Sequence, residues 1–269
     1  MNILILGSGT VGSVLYSYLK QWFSIENLNR NNLDAEQLDK ITINFKQYDY
    51  VINCIGITKA VTNRTENKDD LFKTQFLVNG IFPIWLSERC KRLIHLSTDY
   101  VFKGDWIDHK YLESDRTDAL GQHELSKRIG DMLENGMVLR TSMPGPGGKS
   151  NNTIFNQLLN TENEIFYGFI NWYWNGITSL QFADCVRQII ENDLYDKGLY
   201  HLFSPHDMTK YEFCCMIKDV FKLKVKIKPR VSTKYFNTML KSEKFLQYKL
   251  LIPDMITQLE NLKLFMDYK

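Results

Sequence analysis

Cysteine is scarce in this chain and unorganised where it occurs. The five residues Cys54, Cys90, Cys185, Cys214 and Cys215 form an odd set with no CxxC spacing. That excludes the even disulfide framework of a small secreted domain and any cysteine metal knuckle. The expectation is a reducing, cytoplasmic setting and no metal. Charge of one sign is lacking too: 33 Lys+Arg against 31 Asp+Glu leave a net +2. Bulk electrostatics therefore give no reason to expect nucleic acid or an anionic membrane as partner, and local charge must decide. No apolar run approaches the length needed to span a bilayer, and the apolar start Ile3 to Leu6 lacks a basic leader. Neither a membrane span nor a signal peptide is expected. Proline is thin, six in 269 residues, and its clearest gathering with glycine is Met143 Pro144 Gly145 Pro146 Gly147 Gly148, a composition break of the kind that marks a lobe boundary.

What is present is a regular alternation of short apolar runs and amphipathic stretches, in a chain long enough to bury roughly three quarters of its unfolded surface. Asn2 to Leu6 reads as a strand buried on both faces and stopped by Gly7. Gly7 Ser8 Gly9 Thr10 Val11 Gly12 follows, and then Val11, Val14, Leu15, Tyr18, Leu19 and Trp22 recur at helical spacing. Strand, GxGxxG and helix in this order form the dinucleotide fingerprint, in which glycines allow close backbone approach and a helix N-terminus faces a pyrophosphate. A plain glycine-rich turn is the competing reading. Ile25 to Leu28 is the next strand, followed by Asn29 Arg30 Asn31 Asn32. An acidic residue there would take the ribose 2′-hydroxyl of NAD, whereas Arg30 with no carboxylate beside it suits a 2′-phosphate, so NADP(H) is favoured over NAD(H). Arg30 as a solvated loop residue stays open.

Further along, Asp49 to Gly56 reads as a strand ending in small residues at Cys54 and Gly56. Phe72, Phe76, Val78, Ile81, Ile84 and Trp85 describe a long, mostly buried helix in spite of Pro83. Within it Asn79 either reaches the site through water or is satisfied inside a packing face. Arg92 to Leu96 is another strand and leads into Ser97 Thr98 Asp99 Tyr100 Val101 Phe102 Lys103 Gly104. A helix entered near Gly121 then carries His123, Ser126 and Lys127. A hydroxyl at the carboxyl end of a buried strand and a lysine one helix later converge on one crevice in an α/β sheet.

The run Ser97 to Phe102 followed by Gly104 resembles the signature loop of the dTDP-4-dehydrorhamnose reductase family, extended short-chain dehydrogenases acting on nucleotide-linked sugars. The segments Leu33 Asp34, Asn53 to Gly56, Val78 Asn79 Gly80 with Pro83, Trp174 to Leu180 and Gly198 to Leu202 resemble it again, and the second of these likenesses implies that the strand end at Cys54 and Gly56 lies along the cofactor, where the backbone must approach it closely. The resemblance implies hydride transfer between a nicotinamide and a keto carbon of a nucleotide-diphosphate sugar, usually C4, by a reductase or epimerase serving surface-polysaccharide synthesis. It implies that Thr98 polarises the ketone, that Asp99 and Tyr100 touch the sugar nucleotide, and that Lys127 holds the nicotinamide ribose and lowers the proton donor's pKa. The family's tyrosine donor lies four residues before the lysine, and here that place holds His123. An imidazolium can serve, since its unperturbed pKa near roughly 6.5 lies closer to operating pH than tyrosine's, about 10. The alternative is a catalytically silent relative that keeps the cofactor fold as a binding or regulatory module.

The expected architecture is α/β: a doubly wound parallel sheet of the Rossmann kind over residues 1–142 and 176–202, with a small substrate-binding lobe from 143–175 and 203–269. A possible homodimer belongs to the same expectation. In the lobe Phe166, Tyr167, Phe169, Trp172, Tyr173 and Trp174 crowd into nine residues and either form core or stack on nucleotide and sugar rings. Trp172 and Trp174 are taken as substrate contacts. Lys210, Lys224, Lys226, Lys228 and Arg230 concentrate positive charge that suits a diphosphate, with Lys210 the chosen ligand. A solvated lysine face is the competing reading for the others. Cys214 and Cys215 read as packing residues on an amphipathic helix.

Overall fold

A computed structural model describes residues 1–58, 68–146, 153–161 and 164–267. Gly147 and Gly148 of the expected hinge lie outside them. The strands are β1 (Asn2–Leu6), β2 (Ser24–Leu28), β3 (Tyr50–Asn53), β4 (Leu93–Thr98), β5 (Met137–Thr141), β6 (Ile165–Phe169), β7 (Trp172–Trp174), β8 (Gly198–His201), β9 (Met208–Thr209), β10 (Lys226–Arg230) and β11 (Phe236–Asn237). Six of them form one sheet in the order β2-β1-β3-β4-β5-β8, with every neighbouring pair parallel. The doubly wound α/β expectation is borne out. The strand order reverses between β1 and β3, so the crevice outside their carboxyl ends is the natural place for a ligand.

The central strands are buried on both faces, and alternate residues feed two separate cores. Ile3, Ile5, Tyr50, Ile52, Ile94, Met137 and Leu139 join one cluster, while Leu4, Leu6, Val51, Leu93 and Val138 join the other. This two-residue alternation explains why the strands read as continuous apolar runs. Helix α1 (Thr10–Leu19) packs Val14, Leu15 and Leu19 into the first core. Trp22, expected on that stripe, falls past the helix end and is exposed, with its ring 4.6 Å from that of Tyr18.

The long helix expected between Asp70 and Cys90 is continuous: α2 (Lys68–Gln75), a π-helical turn over Phe76–Ile81, and α3 (Phe82–Ser87). Pro83 lies in the first turn of α3. Wider i→i+5 turns absorb such local disruption without ending a helix. Two residues counted as buried are not: Phe72 is 36% exposed and Phe76 37%, their rings 6.3 Å apart on the outer face. Helix α4 (Gln122–Gly130) starts at the N-cap Gly121, as expected. It lies so close to the π turn that a Cβ on Gly130 would stand 2.3 Å from the Asn79 carbonyl oxygen. This close approach brings Asn79 and Lys127 to one place.

After β5 the chain makes α5 (Ile154–Leu159), capped by the Thr153 hydroxyl, and then β6 and β7. It returns through α6 (Ser179–Glu191) to β8, and continues with α7 (Lys210–Phe221), α8 (Leu246–Lys249) and α9 (Met255–Asp267). A capping box fixes the start of α7: the Thr209 hydroxyl accepts from the Glu212 amide, and the Glu212 carboxylate accepts from the Thr209 amide at 2.7 Å. Two small sheets complete this region, β10-β6 and β11-β7-β9. Its buried side chains Trp174, Phe213, Ile217 and Leu259 belong to the same cluster as Ile3 and Leu139, so sheet and lobe share a core.

Candidate active site

Two cavities open along the carboxyl edge of the sheet. The first, about 250 Å³, lies at the β1/β3 reversal and is lined by Gly7, Ser8, Gly9, Arg30, Asp34, Glu36, Cys54, Gly56 and neighbouring apolar groups. Gly7 adopts φ +102°, a left-handed conformation that favours glycine. A Cβ on Gly12 would fall 1.9 Å from the Gly7 carbonyl oxygen, so the loop and α1 can meet at this distance only without a side chain there. At Gly9 a Cβ would meet nothing within 4 Å, which leaves open space where α1 presents its amino end. Such a cradle, a concavity at the amino end of a helix, fits a pyrophosphate. Thr10, Val11 and Gly12 form the first turn behind it rather than its lining.

The loop after β3 is pinned from three sides. Asn53 accepts from the Ile55 amide at 3.0 Å and donates to His95 Nδ1 at 3.1 Å. Asn79 accepts from the Ile57 amide at 2.8 Å and donates to the Ile57 carbonyl at 3.1 Å and to Ser126 Oγ at 3.0 Å. His123 Nδ1 meets the same Ile57 carbonyl at 2.9 Å. Asn79 thus clamps the loop directly, the packing role left open by the sequence.

The second cavity, about 240 Å³, is lined by Asp99, Tyr100, Trp172, Trp174 and Lys210, all five expected substrate contacts, and by Ser142, Thr153, Tyr173, Phe236 and Thr238 among others. Its walls are aromatic: Trp172 lies 5.4 Å from Phe236, Tyr100 5.8 Å from Phe236, and Trp174 packs edge-on to Phe213 at 4.9 Å. Lys210 Nζ stands 4.4 Å above the Trp172 ring. Burial raises the pKa of the Asp99 carboxyl, against hydrogen bonds from Thr238, Thr98 and Ser142 and the charge of Lys210. Burial lowers that of Lys210, against the charge of Asp99. The cavity therefore holds one acid and one base on rigid aromatic walls.

Lys127 and Thr98 line neither cavity, but each stands against a residue that does or against the strand that leads to one. Lys127 Nζ lies 3.1 Å from where a Cβ on Gly56 would stand, and it donates to the Leu96 carbonyl at 3.3 Å. Gly56 lines the first cavity, and Leu96 lies two residues before Thr98 on β4. The Thr98 hydroxyl donates to Asp99 Oδ1 at 3.3 Å, and Asp99 lines the second cavity. Burial lowers the Lys127 pKa, against Asp131 and Cys54. Burial pushes the Cys54 thiol up to about 12, against Lys127, so it is a wall of the site and not a nucleophile. His123 is buried on the same face of α4 as Lys127 but lines neither cavity.

Some expectations need correction. Arg30 does have a carboxylate beside it: its Nη2 donates to Glu36 Oε1 at 2.6 Å. The two lie six positions apart with five loop residues between them, which hid the pair. Lys226, Lys228 and Arg230 lie on β10, paired with β6, and neither they nor Lys224 line the second cavity. The aromatic cluster divides likewise. Trp172, Tyr173 and Trp174 line the cavity, whereas Phe166 packs on the core and Tyr167 sits beneath Arg230 at 5.7 Å. Phe236 and Thr238 escaped notice because β11 reaches β7 from a distant stretch with no motif of its own.

The family model for the RmlD substrate binding domain matches residues 1–245. The chain belongs to that family. Among solved structures, it is similar to a dTDP-4-dehydrorhamnose reductase from Clostridium acetobutylicum, at 20% identity and a TM-score of 0.79 over 99% of this chain and 100% of that one. The enzyme of the same name from Bacillus anthracis, solved in complex with NADP, gives 18% identity and a TM-score of 0.79 over 98% and 99%. A dTDP-glucose 4,6-dehydratase from Bacillus anthracis, in complex with NAD, gives 16% and 0.72 over 100% and 97%. No curated protein matches the sequence. The resemblance to the dTDP-4-dehydrorhamnose reductase family is therefore borne out by the family model. Among the described residues no helix is long and apolar enough to cross a membrane, and no cluster of metal-ligating side chains occurs.

Proposed function

We propose that this member of the RmlD family is a nicotinamide-dependent reductase acting on a keto carbon, C4 by preference, of a nucleotide-diphosphate sugar in surface-polysaccharide synthesis. The observation that carries the reading is the pair of cavities along the carboxyl edge of the sheet, with Lys127 against Gly56 of the first and hydrogen-bonded to β4, the strand that leads to Asp99 of the second. The glycine cradle and the rim at Arg30 would hold the dinucleotide, which supplies or accepts the hydride. The remaining work falls to the chain's own groups. Thr98 turns its hydroxyl proton from Asp99, which holds it across 3.3 Å in the free site, to the carbonyl oxygen of the sugar. Lys127 lends a buried positive charge that stabilises a developing oxyanion, since charges count for more where water is excluded. His123 gives up the proton. Its Nδ1 meets the Ile57 carbonyl at 2.9 Å, a backbone contact that orients the ring.

In the second cavity the aromatic walls would stack on base and sugar, and Lys210 would meet the diphosphate. The sheet domain, residues 1–142 with 176–202, carries the dinucleotide in this reading, and the segments 143–175 and 203–269 cover the sugar. Calorimetry with dTDP-sugars and free dTDP should show binding that weakens as salt is added. Lys210→Met should cost about 1.5–3 kcal/mol, the worth of a hydrogen bond to a charged group, while leaving cofactor binding intact. If no nucleotide binds, the cavity walls are core and the substrate assignment falls.

The catalytically silent reading has one observation on its side, the histidine in the donor's place. The retention of Thr98 and Lys127 beside both cavities argues for the enzyme.

A further inference from the structure

The rim of the first cavity carries a cation and a carboxylate in contact. Arg30 Nη2 donates to Glu36 Oε1 at 2.6 Å, and Thr74 Oγ1 on α2 donates to Glu36 Oε2 at 3.0 Å. The Arg30 side chain is 76% exposed and that of Glu36 27%, so the carboxylate is the fixed member and the guanidinium the mobile one. Asp34 holds the turn between them, accepting from the Glu36 amide at 3.1 Å and from Gln37 Nε2 at 2.9 Å. Arg30, Asp34 and Glu36 all line the cavity with the glycine loop.

We propose that Glu36 sets the cofactor preference: it holds Arg30 back from a 2′-phosphate and itself offers an acceptor to a 2′-hydroxyl. The inference rests on reading this cavity as the adenosine half of a nicotinamide site. A 2′-phosphate carries close to two negative charges near neutral pH and pairs best with a guanidinium. To gain Arg30 it must draw the side chain from Glu36 and then lie beside Glu36 and Asp34, both carboxylates. A 2′-hydroxyl asks for less. A carboxylate has about four acceptor sites, and Arg30 and Thr74 use two of those on Glu36. Glu36 can therefore accept a ribose hydroxyl without releasing either partner. Arg30 offers a cation to the phosphate and Glu36 an acceptor to the hydroxyl, and their contact moderates the choice.

The test is a fluorescence titration of wild type, Glu36→Gln and Arg30→Ala with NADPH and NADH. Wild type should bind both. Glu36→Gln should tighten NADPH and leave NADH unchanged or weaker, raising the NADPH-to-NADH affinity ratio roughly five- to tenfold, as expected when one exposed ion pair and one like-charge contact are removed. Arg30→Ala should move the ratio the other way by weakening NADPH alone. Thr74→Val, which loosens the carboxylate without removing its charge, should shift the ratio in the same direction as Glu36→Gln and by less. If both cofactors bind and Glu36→Gln leaves the ratio where it was, or weakens both equally, the inference is overturned and Glu36 only supports the loop. If wild type binds neither, the nicotinamide reading falls and this inference falls with it.

Discussion

His123→Ala is expected to lose about 10²- to 10⁴-fold in turnover on a keto nucleotide sugar, the usual contribution of a positioned general acid, while its cofactor affinity stays nearly unchanged. The second half follows from the geometry. His123 contacts the Ile57 carbonyl, but Asn79 holds both the amide and the carbonyl of Ile57 independently, so the loop keeps its place without the imidazole. His123→Tyr is the discriminating variant. It restores the residue type the family uses four positions before Lys127, on the same helix face. If the histidine is an adapted donor, the tyrosine variant retains or recovers activity and loses the limb of the pH profile that the imidazole contributes. A His123→Ala enzyme as fast as the parent would remove the donor assignment. Activity that arises only in His123→Tyr would show the natural chain to be silent.

Asp131→Ala should cost about 3–5 kcal/mol of folding stability, measured by urea denaturation, because it leaves a buried guanidinium without its counter-ion. Arg140 is 2% exposed in mid-sheet and donates twice to Asp131 Oδ2, at 3.2 and 2.8 Å. Its third contact is His201 Nε2 at 3.1 Å, while His201 Nδ1 donates to the Lys241 carbonyl at 2.9 Å. Burial and the neighbouring Arg140 push the His201 pKa down to about 4. The unfolded chain takes up that proton near pH 6.5. The stability His201 contributes is thus present above pH 6.5 and lost as pH falls through the native value of about 4. His201→Gln should flatten that part of the stability profile. An unchanged slope would mean that other groups set it. Asp131→Leu combined with Arg140→Met, which removes both charges, should be far milder than Asp131→Ala.

The strands of the main sheet could be read because each is an apolar run bounded by turn residues, a pattern that local chemistry dictates. Asn2–Leu6 came out with its ends unshifted, and the strand placed at Arg92–Leu96 runs two residues further, to Thr98. The glycine cradle was legible for a related reason: its spacing is set by one strand, one turn and one helix, whereas Thr98 and Lys127, with a long loop between their elements, were legible through the resemblance of that stretch to the family. What could not be read depends on long-range closure. Phe236 and Thr238 reach the second cavity only because β11 pairs with β7. Glu36 meets Arg30 only because the loop folds back around Asp34. For the lysines of β10 the solvated reading is the one that fits, because strand pairing, which sequence does not announce, carries them to β6 and away from the cavity. Phe72 and Phe76 obey helical spacing yet face outward, since periodicity finds a stripe but not the surface it meets.

The most direct test is to follow the loss of reduced-nicotinamide absorbance with purified protein, NADPH or NADH, and dTDP-4-dehydrorhamnose. The account predicts oxidation of the cofactor that requires the keto sugar and falls by orders of magnitude in Lys127→Met. Cofactor and dTDP-sugar both bound, with no oxidation of either nicotinamide in the presence of the keto sugar, would contradict it.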